Sequence, residues 1–204
     1  GLVILRAKAF GDILLQNLCF NEVYHLASSK ITKKALANAL KEVMVEKPFE
    51  KISVSDICNK CNRNRKSFYY HFKDKYDLVN WIFDTEFLEG ASRKNYDGVW
   101  ELLTDTCEFF YNNREFYCKA LRINGQNSFL DYFRELLLYI IDKTLPAVTG
   151  EENISDFQRN FMADAFGITF LRWVLEYPTM PPEEFMEQLR ICIKYMAVGY
   201  EKLD

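Results

Sequence analysis

Histidine occurs only twice in this chain of 204 residues, at His25 and His71. That scarcity argues against catalysis, which draws on imidazole as general base or metal ligand. Cys58, Cys61 and His71 would supply three ligands where a structural zinc site wants four, and no second Cys or His pair stands near them. A thioredoxin-like reading of the Cys-x-x-Cys pair needs a βαβ setting that the sequence does not offer. Both cysteines read as packing residues. No metal, no cofactor and no enzyme are expected.

Turn-forming residues are also few, with five prolines and eight glycines. Long stretches of Leu, Phe, Lys and Glu between them predict an all-α chain. The six cysteines, at 19, 58, 61, 107, 118 and 192, form no dense framework, as expected of reduced thiols in the cytoplasm. No apolar run reaches the roughly 20 residues of a membrane span. The apolar opening is interrupted by Arg6, Lys8 and Asp12, and its order is wrong for a secretory signal. Residues 1–30 read either as an amphipathic arm, with Phe10, Ile13, Leu14 and Leu18 on one face, or as residues foreign to the native start. No function is placed there.

What the chain does have is charge asymmetry. Lys30 to Tyr76 holds twelve lysines and arginines against five acids, a net of +7, so the rest of the chain carries −10 of the overall −3. A basic module joined to a larger acidic one suits a protein of which one part meets a polyanion.

Within that module the helix signals are closely spaced. Thr32 can cap a helix that Pro48 closes. Ser53 begins a second helix, with Asp56 placed for a capping box. Asn62 suits the positive φ of a tight turn. Asn64 caps a third helix, "RKSFYYHF", and Asp74 a fourth running from Lys75 to about Glu89. Two short helices across a tight turn make a helix-turn-helix, whose second helix offers its N-terminal residues to the major groove. That turn holds Asn64, Arg65, Lys66 and Ser67. Arg65 and Lys66 are expected at base edges or phosphates, and Ser67, Tyr69, Tyr70, Lys73 and Lys75 at phosphates. Ser53 and Ser55 would face the backbone at the start of the second helix. His71 reads equally as a phosphate contact or as a buried link to the fourth helix.

The stretch "ISVSDICNKCNRNRKSFYYHFKDKYDLV" resembles the DNA-binding signature of the TetR/AcrR family of bacterial transcriptional regulators, over about residues 31 to 85. Two residues depart from it: Asn62 where the family usually has Gly, and Arg63 where it has a small apolar residue. Asn62 can take the same conformation, whereas Arg63 adds a phosphate contact or changes the sequence read. "FGITFLRWVLEYPTMPPEEF" is similar to the family's penultimate helix and its link to the last. "FYCKALRINGQNSFLDYF" looks like a Firmicutes-type subgroup that includes activators of dihydroxyacetone kinase operons.

The resemblance implies an N-terminal helix-turn-helix domain at 31–76 and a helical effector and dimerisation domain at 77–204. It implies a homodimer on a pseudo-palindromic double-stranded operator, formed mainly by the last two helices. In 155–176, Phe157, Phe161, Ala165 and Ile168 form one apolar stripe and Met162, Phe166, Phe170 and Trp173 another. Interface candidates are Phe161, Ile168, Trp173, Leu189, Ile193 and Met196. It also implies a pocket for an unidentified small molecule, with Trp100, Phe110, Tyr117, Arg122, Tyr132, Phe166 and Phe170 as candidate lining and Asn124 and Gln126 as further polar groups. The function expected is a repressor released by that ligand. The alternative is a co-activator that works through protein contacts without a small-molecule effector.

Overall fold

Apolar residues at helical spacing, separated by the few caps and breakers above, fold into nine helices among the described residues, with no strand. The computed structural model describes residues 26–123, 128–150 and 153–201. Residues 1–25, and with them most of the N-terminal segment, lie outside it, as do Asn124 and Gln126.

Helix α1 spans Leu26–Glu46 and buries Leu36, Leu40, Val43 and Met44 along one stripe. It begins before Thr32, which sits inside the helix, because the Leu-Ala stretch ahead of it favours helix more than threonine favours a cap. A 3₁₀ turn, Phe49–Lys51, leads into α2 (Val54–Lys60). Then come α3 (Arg65–His71) and α4 (Lys75–Phe83), the latter continuing through a π-helical turn (Asp84–Leu88) and a last α-turn (Glu89–Ala91). Helix α4 serves two cores. Leu78, Val79 and Ile82 pack with Phe68 and Phe72 among the buried residues near its start, and Trp81 meets Phe72 edge-on at 5.7 Å.

From Phe83 onward α4 enters an aromatic core. The Phe83 ring lies 5.4 to 6.2 Å from those of Phe87, Phe109, Phe110, Tyr117, Phe129 and Phe133. Phe87 stands one turn on in α4 itself, and the other rings come from α5 (Val99–Asn112), α6 (Arg114–Ala120) and α7 (Phe129–Thr149). Helix α8 (Asp156–Glu176) adds Phe170, 4.9 Å from Phe110 and 5.1 Å from Phe133. Trp173 stacks at 4.6 Å on Phe185 of α9 (Pro182–Glu201). Arg134 of α7 bonds Asp164 and Asn160, and Arg159 of α8 bonds Asp142. Gly167 lets α8 approach closely, since a Cβ there would stand 3.3 Å from Leu137 Cδ1. Helix α7 contains Pro146 and ends at Gly150 with φ +78°.

Candidate nucleic-acid interface

The reading head is built by three caps and one turn. Ser53 Oγ accepts from Asp56 N–H and the Asp56 carboxylate accepts from Ser53 N–H, closing the capping box. Asn62 takes φ +52°, and Arg63 N–H then bonds Cys58 O at 2.9 Å, which turns the chain out of α2. Asn64 Oδ1 accepts from Ser67 N–H at 2.7 Å to start α3. Asp74 Oδ1 accepts from the N–H groups of Tyr76 and Asp77 to start α4. Each of these local signals was legible in the residues.

Phe68 is fully buried and Phe72 nearly so, which turns the opposite side of α3 outward. Arg63, Asn64, Arg65, Lys66 and Lys73 are exposed, as are Tyr69 and Tyr70 at 51% and 74%. Arg65 lies over the Tyr69 ring at 5.8 Å, so that the guanidinium is steadied without being neutralised. His71 is half-buried, with Tyr70 packed edge-on against it at 4.8 Å. Ser53 is exposed and Ser55 half-buried; the Ser53 hydroxyl donates to Asp56.

The acids of the module face elsewhere. Glu42 and Glu46 pair with Lys60, and Asp56 pairs with Lys47, whose ammonium holds the Asp56 carboxyl well below the usual carboxylate range. Among the described residues Arg63, Arg65, Lys66 and Lys73 form no ion pair, so their charge is unspent on the outer side of α3. Lys75 is the exception to the expected set. Its ammonium donates to the carbonyls of Phe49 and Ile52 at 2.7 and 2.8 Å and cannot extend to a phosphate from there.

The Cys58 thiol is buried, and Cys61 Sγ donates to Ile57 O at 3.3 Å. Burial raises the pKa of both thiols, so neither is poised as a thiolate.

Residues 36–82 match the profile described as bacterial regulatory proteins of the tetR family, and residues 99–195 that of a transcriptional regulator C-terminal region. The HTH-type dhaKLM operon transcriptional activator DhaS of Lactococcus lactis subsp. lactis (strain IL1403) is 32% identical over 145 residues, covering 70% of this chain and 74% of that protein. The chain belongs to the TetR family. A solved structure of a dihydroxyacetone kinase operon activator DhaS shares the fold at a TM-score of 0.56 and 24% identity, covering 85% of this chain and 97% of its own. TetR-family membership makes this a DNA-binding transcriptional regulator. No helix among the described residues is long and apolar enough to cross a membrane.

The candidate pocket residues do not come together as one site. Phe110, Tyr117 and Phe170 are wholly buried in the aromatic core, Trp100 is half-buried beneath Arg190, and Arg122 is exposed. Tyr132 is half-buried and its hydroxyl donates to Asp84. Phe166 alone of the seven lines the cavity between α4, α5, α7 and α8, beside Phe87, Leu102, Thr106, Leu137 and Ile140; its volume is about 30 Å³.

Of the interface candidates, Phe161, Ile168, Ile193 and Met196 are exposed and Leu189 is half-buried. Trp173 is a correction: it is 1% exposed, and its indole N–H donates to Met180 O inside the chain's own core. The C-terminal part of its stripe on α8 faces inward, with Phe170 one turn earlier buried on the same side, while Met162 at the other end is exposed. Tyr195 is also exposed on α9, at 71%.

Proposed function

We propose that this TetR-family chain acts as a homodimer that reads a pseudo-palindromic operator with two copies of α3, and that it activates the operon it binds. The observation that carries this reading is the unspent positive face of α3, rimmed by exposed Tyr69 and Tyr70. Arg65 and Lys66 reach base edges, while Lys73, Arg63 and the tyrosine hydroxyls contact phosphates. Dimerisation rests on Phe157, Phe161, Ile168, Ile193 and Met196, large apolar side chains left in solvent on α8 and α9. Such a surface calls for a partner, and a two-fold axis would space the reading helices by one turn of DNA, about 34–36 Å. Activation rather than repression follows the similarity to the dhaKLM operon activator.

The filled core favours control through a protein partner over a metabolite in the cavity described. About 30 Å³ accommodates a water, whereas ligand sites run to several hundred Å³. The test is to select binding sites from randomised DNA with the full chain and measure affinity by fluorescence anisotropy across a salt series. A recovered inverted repeat, bound with a steep salt dependence, supports the reading; recovery of no common sequence rejects it.

A further inference from the structure

Lys75 stands in the reading head yet points away from its outer face. Its ammonium donates to Phe49 O at 2.7 Å, Ile52 O at 2.8 Å and Glu50 O at 3.4 Å. It also lies 4.4 Å above the Phe49 ring, which packs edge-on against Tyr76 at 5.1 Å. Those three carbonyls belong to the 3₁₀ turn and to the residue just before the Ser53 cap. Lysine is an apt side chain here, because one ammonium offers three donors that diverge as the carbonyls do.

We propose that Lys75 is a positioning residue for DNA recognition: it fastens the start of α4 to the segment that launches α2, and so sets the angle at which α2 and α3 meet the groove. The proposal rests on the DNA-binding reading above. The alternative use, a direct phosphate bond from the same ammonium, would need all three carbonyls released. Burial has already lowered the Lys75 pKa, as expected of an ammonium withdrawn from solvent, with Glu50 opposing the shift. Phe49 and Ile52 are 4% and 2% exposed, so the carbonyls it caps lie on a segment with little freedom to move away.

The two roles separate in measurement. Acylation by an amine-reactive probe, read by mass spectrometry on the unmodified protein, should label Lys73 quickly and Lys75 slowly. Binding to the selected duplex should protect Lys73 and leave the Lys75 rate unchanged. The variant Lys75→Met should weaken that duplex about tenfold or more, the scale of losing charge-assisted hydrogen bonds, and lower the thermal midpoint. Its salt slope should stay at the wild-type value, since no phosphate contact is lost. Lys75→Arg should not restore affinity, because a planar guanidinium cannot cap three diverging carbonyls. Labelling of Lys75 as fast as Lys73 in the free protein would overturn the positioning role. So would a salt slope reduced by about one in Lys75→Met and regained in Lys75→Arg. Wild-type protein that selects no DNA would instead overturn the recognition reading beneath it, while the labelling contrast still reports on the geometry.

Discussion

The Tyr132 hydroxyl donates to the Asp84 carboxylate, joining α7 to the π-helical turn of α4. Burial pushes the Asp84 pKa up to about 6; the Tyr132 hydrogen bond pulls it back, and Asp77 and Glu89 on the same helix add to the rise. The junction therefore holds a carboxylate at a place that disfavours its charge. Above it on α4, Asn80 Oδ1 is buried without a partner.

A folded-state pKa raised from 3.8 to about 6 has a definite sign. The unfolded chain ionises first as pH rises, so this group withdraws stability between those values and its full penalty stands at pH 7. Asp84→Asn keeps an acceptor for Tyr132 and removes the charge. It should stabilise the protein by about 1–2 kcal/mol at pH 7.5, allowing for the partial solvation of the site, with the gain fading by pH 4. Urea unfolding of both proteins at each pH checks this; an unchanged difference between the two pH values would contradict it.

Arg65 and Lys73 should fail differently. Arg65→Ala should cost about 1–3 kcal/mol on the selected operator and flatten preference at one position of each half-site. Lys73→Ala should weaken all sequences alike and reduce the salt slope by about one. Competition binding against single-base variants distinguishes them, and a Lys73→Ala protein that became more selective would contradict its assignment.

Phe161→Glu combined with Met196→Glu should leave the fold intact, since both side chains are in solvent at 62% and 65%. Light scattering at micromolar concentration should find a dimer for the wild type and a monomer for this variant. An unchanged mass would move the interface elsewhere.

Asn62, at φ +52°, separates backbone demand from side-chain function. Asn62→Gly should be neutral or slightly stabilising, whereas Asn62→Ala should cost about 1 kcal/mol in thermal or urea unfolding.

Phe170→Ala should cost about 3–5 kcal/mol, because Phe170 is fully buried between Phe110, Phe133 and Trp173. The same variant would enlarge the core space, so it also tests whether small aromatic molecules gain a binding site, read as a rise in thermal midpoint.

The reading head was legible because its determinants are local. A cap such as Ser53 or Asn64 acts on the next three residues, and the positive φ of Asn62 is a property of that residue type. Residues whose role depends on a distant partner were not. Nothing near Lys75 in sequence announces carbonyls more than twenty positions away. Trp173 shares its helical spacing with residues on both sides of α8, and its contacts with Phe170, with Tyr111 of α5 and with Phe185 of α9 decide which side is inside. Aromatic spacing on α8 did not tell buried Phe170 from exposed Phe157 and Phe161, nor which rings border open space, since a void is defined by what fails to meet.

Helix α4 begins in the reading head and ends among the rings around Phe83. Neither half of the protein owns it. A fragment cut after Lys73 would expose Phe68 and Phe72 to water, and one starting after Phe83 would lose the ring that six others touch. Unfolding by heat should therefore show a single calorimetric transition, its van't Hoff and measured enthalpies agreeing, and excised halves should behave as molten chains rather than as domains.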